Sequence, residues 1–451
     1  MAFGKRPDNR QQELFIATAE LAGAPGHAFY ERLGKLLARA QFDRWAQDAC
    51  RPYYADGGRP GIPPGVYFRM LLVGYFEGID SQRGIAWRCA DSLSLKQFLG
   101  YGPTESTPDH SSLTKIRQRL PEEVYGRMFE FVLRLVADHK LLSAREVGVD
   151  STTLEANAAM KSIVRKDTGE GWREYVTGLM REAREIGPDE EPSAEAVAKF
   201  DKRRKGKKVS NDDWENPHDK DAKIAKLKDG RTHLAYKAEH VVDLQTEVIL
   251  AAETYGANEA DTATLVPSAE AAQDHVEATN TYRLISKIAA DKGYHAIETL
   301  TAVEQSALVG AKTYLPERAT KWKWDDKSPA QKRALLNNRA RTQRDYGKRL
   351  QRRRSERVER SFAHVCDTGG GRRTWLRGLE NVRKHHLVKA AAHNLGLILR
   401  KLLGASKPRA YAALGTLLQL LHIAQITLRR FLRIPDDSKL NSRHAPLRLS
   451  A

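Results

Sequence analysis

The hydrophobic pattern of this chain changes period once, near Arg145, and that change limits the possible folds more than any other feature. Before it, FYERLGKLLARAQFDRWAQD, PPGVYFRMLLVGYFEG and SQRGIAWRCADSLSLKQFL carry apolar residues at helical spacing, with Gly and Pro between them. After it, EVGVDSTTL reads as a strand, THLAYKAEHVVD and EVILAAETYG as a hairpin-like pair, and YRLISKIAAD and SALVGAKTYLP as two further strands. Helical patterns lie between and after these strands, so residues 1–145 are expected to be all-helical and residues 146–403 mixed α/β. Residues 156–228 interrupt the strands with charge-rich sequence, including PDEEPSAEA and DKRRKGKK. That interruption is too long for a simple loop and reads as a largely helical insertion with solvated ends. Residues 404–451 read as a helical extension and tail, with an amphipathic stretch from Tyr411 to Leu428 broken by Gln419, His422 and Gln425.

Charge selects the kind of partner. Lys and Arg total 75 against 57 Asp and Glu, a net charge of +18, which favours a polyanion such as nucleic acid, with an anionic membrane surface as the competing partner. The start, MAFGKRPDNRQQ, lacks the apolar core of a signal peptide, and no later stretch is apolar enough to span a bilayer. Cys50, Cys89 and Cys366 are too scattered for a disulfide framework or a zinc site, which fits a reducing cytosol.

Two strands carry an acid where a core residue is due. VGVD brings Asp150 into the first strand, and ISKIAAD ends on Asp291 just before Gly293. In open α/β sheets ligands gather at the carboxyl ends of strands, where neighbouring strands can present two carboxylates to one point. Such a pair suits Mg²⁺ or Mn²⁺, which take oxygen ligands and leave coordination sites for phosphate. With two ions, one side of an in-line phosphodiester displacement is activated and the other stabilised. A third acid is expected from QRRRSERVERSFAHV, where Glu356 and Glu359 both stand among arginines.

Several blocks in order, PPGVYFRMLLVGYFEGIDSQRGIAWR, TPDHSSLTKIRQRL, VGVDSTTLEANA, DGRTHLAYKAEHVVD, IAADKGYH, RVERSFAHV and RTWLRGLENVRKHHLVKAAAHNL, resemble bacterial insertion-sequence transposases of the DDE class. The resemblance runs from about Gly61 to Leu403. It implies a ribonuclease H-like catalytic domain, a mixed sheet with flanking helices, and a triad at Asp150, Asp291 and Glu359 holding Mg²⁺ or Mn²⁺, two ions in all. It also implies cleavage of double-stranded DNA at terminal inverted repeats, transfer of the 3′-hydroxyl into target DNA, and a homodimer in the synaptic complex of a bacterial cytoplasm. A related nuclease that cuts without joining, and an inactive transposase-derived DNA-binding protein, are the alternatives. The tyrosine and arginine that many relatives place before the glutamate are replaced here by Arg352 and Ser355, and no lysine follows it at the family's spacing.

Helix phase independently separates the two glutamates. At about 100° per residue, Val358, Phe362 and Val365 share the face that packs on the sheet, Glu359 lies at its flank and Glu356 points away. Between Gln331 and Arg360 there are 12 Lys or Arg against three acids, a density suited to a DNA backbone, with Arg352, Arg353, Arg354, Arg357 and Arg360 as the candidate contacts. In the helical region the turn Gly78–Ser81, with Asp80 or Ser81 as the cap of the next helix, resembles a helix-turn-helix, and Arg69, Arg83 and Arg88 flank it as candidates for repeat recognition. His295, four residues beyond Asp291, is a candidate support for that ligand. Trp322 and Trp324 could stack on an unpaired base, although packing is the expectation, and His240, Asp243, His385, His386 and His393 read as structural.

Overall fold

A computed structural model describes residues 26–411 except 56, 58–60, 205–209, 228–229, 309, 319–323 and 410. The expected extension from Tyr411 to Leu428 and Trp322 therefore lie outside the described residues, Tyr411 itself apart. No helix among the described residues is long and apolar enough to cross a membrane.

Seven helices come first: α1 (Ala28–Arg39), α2 (Phe42–Cys50), α3 (Pro64–Glu77), α4 (Gln82–Ala90), α5 (Leu93–Leu99), α6 (His110–Arg119) and α7 (Glu122–Asp138). The first expected helix breaks into two because Gln41 adopts φ 55°, the left-handed region, as the cap of α2. Helix α3 is buried nearly all round, including Tyr67, Phe68, Met70, Leu72, Val73 and Phe76, so it is the centre of this bundle and not an exposed element. It ends at Gly78, whose φ of 71° only glycine adopts without strain, and Ser81 starts α4 by accepting a bond from Gly84 N at 3.0 Å. Asp80 is not that cap; its carboxylate reaches Lys389 Nζ at 2.8 Å.

The sheet begins with β1 (Glu146–Glu155). The insertion follows: β2 (Val164–Arg165), α8 (Trp172–Glu182), α9 (Ala194–Arg203) and β3 (Trp214–Glu215), with β2 and β3 pairing as a separate small ribbon. Its last residues depart from the helical expectation, because β4 (Lys223–Lys226) joins the main sheet against the start of β5 (Thr232–Asp243). Four residues, two apolar between two lysines, are too short a signal to stand out in such charged sequence.

After β6 (Ile249–Gly256) come α10 (Asp261–Glu277), β7 (Lys287–Ala289), α11 (Ile297–Gln305), β8 (Lys312–Tyr314), α12 (Pro329–Gln343), α13 (Asp345–Phe362) and α14 (Leu379–Leu403). Strands β6, β5, β1, β7 and β8 lie in that order, with β5 antiparallel to both its neighbours and β1, β7 and β8 mutually parallel. This is the ribonuclease H-like arrangement, in which the β5–β6 hairpin leads into β7 through α10 and β7 leads into β8 through α11. The expected fourth and fifth strands are only three residues each, because residues 282–286 and 306–308 join no ladder.

Sheet and helical bundle share one core. Helix α14, apolar on several sides, lies against α7 and α3 on one side and β6 on the other, and a single continuous cluster runs from Phe29 to Leu399.

Candidate active site

Helix α13 lies on β1 at Gly148, where a Cβ would stand 2.7 Å from Leu244 Cδ2, 2.9 Å from Arg354 Cγ and 2.9 Å from Val358 Cγ2. Only a residue without a side chain lets the helix approach this closely. Two residues on, Asp150 rises from the same face, since alternate strand residues share a side. The expected helix phase is what the structure shows: Val358, Phe362 and Val365 are buried, while Glu356 and Glu359 are exposed. Val365 itself lies in a π-helical turn, Ala363–Asp367, that follows α13.

The parallel register pairs Gly148 with Ala289. Two residues beyond each lie Asp150 and Asp291, so neighbouring strands bring both acids to the same end of the sheet. Asp291 starts a short 3₁₀ turn, its Oδ1 accepting from Gly293 N at 2.7 Å. A Cβ at Gly293 would fall 2.8 Å from Asp291 Oδ1 and 2.7 Å from Asp261 Oδ2, so both carboxylates close on this one point. Asp261, at the start of α10, is thus a third acid of the cluster, and Ser151 Oγ donates to its Oδ1 at 3.1 Å. In the sequence it looks like an ordinary first-turn acid, so only its place over the sheet end singles it out.

The carboxylates sit in a tense electrostatic setting. Asp150 is raised to about 6, chiefly by burial and further by the negative charges of Asp291 and Asp261, against the downward pull of the Arg354 guanidinium and the Ser151 N–H. Arg354 Nη1 meets Asp150 Oδ2 at 2.7 Å, and that side chain is only 12% exposed. Lys237, buried in β5, similarly meets Asp261 Oδ1 at 2.7 Å and Glu239 Oε2 at 3.5 Å. Protein cations therefore already balance part of the acidic charge.

Among the described residues no three His, Cys, Asp or Glu side chains converge closely enough to hold a metal. The expected triad is not assembled as a ready ligand set, and the reason is visible in its bonds. Asp150 is held by Arg354, Asp291 caps Gly293, and Glu359 accepts from Ser355 Oγ at 2.8 Å. The donor set nevertheless fits a hard cation: every acid offers carboxylate oxygen, and the site has already drawn a guanidinium to Asp150. His295 is buried beyond the 3₁₀ turn, with its imidazole held below the usual range by burial.

The arginines divide into two sets. Arg353 binds Glu146 at 2.9 Å, Arg354 binds Asp150, and Arg357 and Arg360 both meet Glu247, a buried acid that Arg400 also reaches at 2.9 Å. Much of the basic run thus fastens α13 to the sheet. Arg352 faces solvent with no ion pair among the described residues, beside exposed Lys348 and Arg349. In the helical region Arg69 is 7% exposed and clamps Asp43 at 2.8 Å, Arg88 meets Glu77 at 3.5 Å, and Arg83 is exposed. Trp324 packs partly against the core. His240 and His386 share a bond of 3.0 Å between their Nε2 atoms, and Asp243 accepts from Ser143 N and Ala144 N, both in structural roles.

Comparison with known families agrees with this geometry. Residues 21–119 match a family described as a transposase domain (DUF772), and residues 211–395 match the transposase DDE domain. The second match contains Asp291 and Glu359 but begins after Asp150, which the sheet register brings to the same end of the sheet as Asp291. No curated protein and no solved structure matches the chain. With two transposase domains in order and a ribonuclease H-like sheet between and through them, the chain belongs to the DDE-type transposases of insertion sequences.

Proposed function

We propose that this polynucleotidyl-transfer enzyme cuts double-stranded DNA at the terminal inverted repeats of its element and joins the freed 3′-hydroxyl to target DNA at one site built from Asp150, Asp291 and Glu359. The observation that carries this reading is the placement of Asp150 and Asp291 at one end of adjacent parallel strands, with the helix that bears Glu359 laid across β1 at Gly148. Asp150 and Asp291 would hold Mg²⁺ or Mn²⁺, two ions in all, with Glu359 completing the set from the flank of α13. The bound cation supplies Lewis-acid activation of the attacking oxygen and charge neutralisation at the leaving oxygen.

The protein's own part is positioning. Sheet and helix hold the carboxylates on rigid elements, which suits chemistry that tolerates little misplacement. Arg354 compensates Asp150 before substrate arrives, and its guanidinium is within reach of a phosphate at the same point. Lys348, Arg349 and Arg352 share the outward side of α13 and would meet the DNA backbone. Arg83 is the exposed basic residue of the candidate repeat-reading helix α4. Two copies of the chain would hold two element ends together.

A strand-transfer assay tests the reading. The full-length protein with a pre-cut repeat end, supercoiled target and Mg²⁺ should give joined products. Cutting of intact ends without any joining would identify a nuclease instead.

A further inference from the structure

The far end of β1 carries a platform unlike the acidic cluster. After the π-helical turn the chain returns to lie beside β1, with Glu155 N donating to Arg372 O at 3.0 Å and Thr374 N donating to Glu155 O at 2.8 Å. Arg373 pairs with Glu155 as a parallel bridge. Extended backbone alternates its side chains, so Thr374 turns inward and is buried while Arg373 and Trp375 both turn outward. The Arg373 guanidinium stands 5.0 Å from the centre of the indole. Asn157 Nδ2 donates to Trp375 O at 3.0 Å and Arg377 Nε donates to Asn157 O at 3.2 Å, so the loop is fastened on both sides.

Trp375 is 53% exposed on this fastened loop, with Arg372, Arg373 and Arg377 exposed around it. Single exposed apolar residues are ordinary. An indole on a fastened backbone, with the Arg373 guanidinium over its ring and the exposed Arg377 two residues on, is a different object, because the surface offers a flat π-face and positive charge together. Arg372 and Arg373 also meet Asp367 and Glu155, in solvent-open pairs that a phosphate can displace at little cost. An intact duplex presents phosphates but hides its base faces, so it would use the arginines and leave the indole idle. An unpaired strand uses both.

We propose that Trp375, with Arg373 and Arg377, binds unpaired DNA beside the cutting site, a nucleobase stacking on the indole while the adjoining phosphates meet the guanidinium groups. From Asp150 to Glu155 the strand rises roughly 17 Å, about the rise of five nucleotides along one strand of B-form DNA. A strand whose scissile phosphate lies at Asp150 therefore reaches the platform within a few nucleotides. The placement beside the cut rests on the transposase reading; the affinity for unpaired DNA does not.

Full-length protein is titrated into a fluorescent single-stranded oligonucleotide of about 16 nucleotides and into a duplex of the same length, at fixed salt. The same preparations are assayed for Mg²⁺-dependent cleavage of repeat ends. Trp375→Ala should weaken single-strand binding roughly five- to hundredfold, the range of one base stack, and leave duplex binding unchanged. Trp375→Phe should restore most of the loss. Arg373→Ala, at an exposed position, should weaken single-strand binding and flatten its salt dependence by about one phosphate contact. Single-strand affinity unchanged in Trp375→Ala and Arg373→Ala overturns the proposal, as does an equal loss for duplex and single strand that phenylalanine does not restore. Trp375-dependent single-strand binding in a protein that never cleaves overturns the transposase reading alone; cleavage with no effect of Trp375 overturns the platform alone.

Discussion

Replacing Gly148 by alanine tests the junction on which the site is built. The new Cβ would lie 2.7 to 2.9 Å from Leu244, Arg354 and Val358, where ordinary contacts begin at 3.4 Å. Relief requires a movement of about 0.5 Å or more, and two of the three obstructing side chains belong to α13, so the helix is the element displaced. Overpacking of this kind costs about 1–3 kcal/mol. On the proposed role of Glu359, displacement of its helix by half an ångström or more lowers the chemical step by roughly tenfold or more, since a 1 Å error costs about a hundredfold. Urea unfolding, repeat binding and cleavage measured together should show lowered stability, a larger fall in cleavage, and near-normal binding. Gly126→Ala is the control: it lies inside α7 with open space at the Cβ position, so it should leave cleavage alone and stabilise by up to about 1 kcal/mol. Gly148→Ala with unchanged stability and cleavage would refute the close seating of α13 on β1 in the active protein.

The buried histidines predict acid lability. Burial, with neighbouring positive charge, holds His386 and His393 at about 3 and His240 well below the usual range, while the unfolded chain keeps the ordinary value of about 6.5. The unfolded state therefore takes up protons first, so stability is full above pH 6.5 and is lost as pH falls from there towards 3. Between pH 7 and 5.5 the loss is about 1 kcal/mol for each histidine, roughly 3 for the three together, and denaturation midpoints that hold steady over that interval would contradict it. Arg354→Met removes the cation that competes for Asp150, so Mn²⁺ binding read by its electron spin resonance should tighten about tenfold, the worth of one charge-assisted bond; weaker binding would mean that Arg354 orients the carboxylate. Glu247→Gln leaves Arg357, Arg360 and Arg400 without their shared acid and should cost about 2 kcal/mol in urea unfolding. By the same division, Arg352→Ala should flatten the salt dependence of DNA binding by about 0.9 log unit while Arg357→Ala should act on stability; the reverse pattern would put Arg357 on the DNA.

What the sequence reveals follows from how local each signal is. Strand β5 is legible to the residue, because its twelve residues form one long run, with Thr232, Tyr236, Val241 and Val242 as strong β-formers, that follows directly on the turn at Gly230. The phase of α13 is equally plain, since Val358, Phe362 and Val365 define one face without reference to anything else. Strand β4 and the three-residue β7 and β8 are not, because their pairing depends on long-range register. The same distinction governs the site. Asp150 and Asp291 stand out as acids in apolar runs, whereas Asp261 becomes part of the cluster only when α10 lands beside Gly293. Charge density in the basic run is visible in the sequence, but its division between ion pairs to Glu146, Asp150 and Glu247 and the exposed Lys348, Arg349 and Arg352 is a property of the folded chain. Arg69 shows the same limit: it reads as a surface cation and instead holds Asp43 inside the bundle.

The most direct test of the central claim sets the two glutamates of α13 against each other. Glu356 pairs outward with Arg360 at 2.6 Å, while Glu359 stands at the flank of the face that covers β1. Glu359→Gln keeps the shape and removes the anionic ligand, so Mg²⁺-dependent cleavage of a repeat-end duplex should be abolished with repeat binding nearly intact. Glu356→Gln should retain most of the activity. Cleavage that survives in Glu359→Gln and disappears in Glu356→Gln would contradict the site described here.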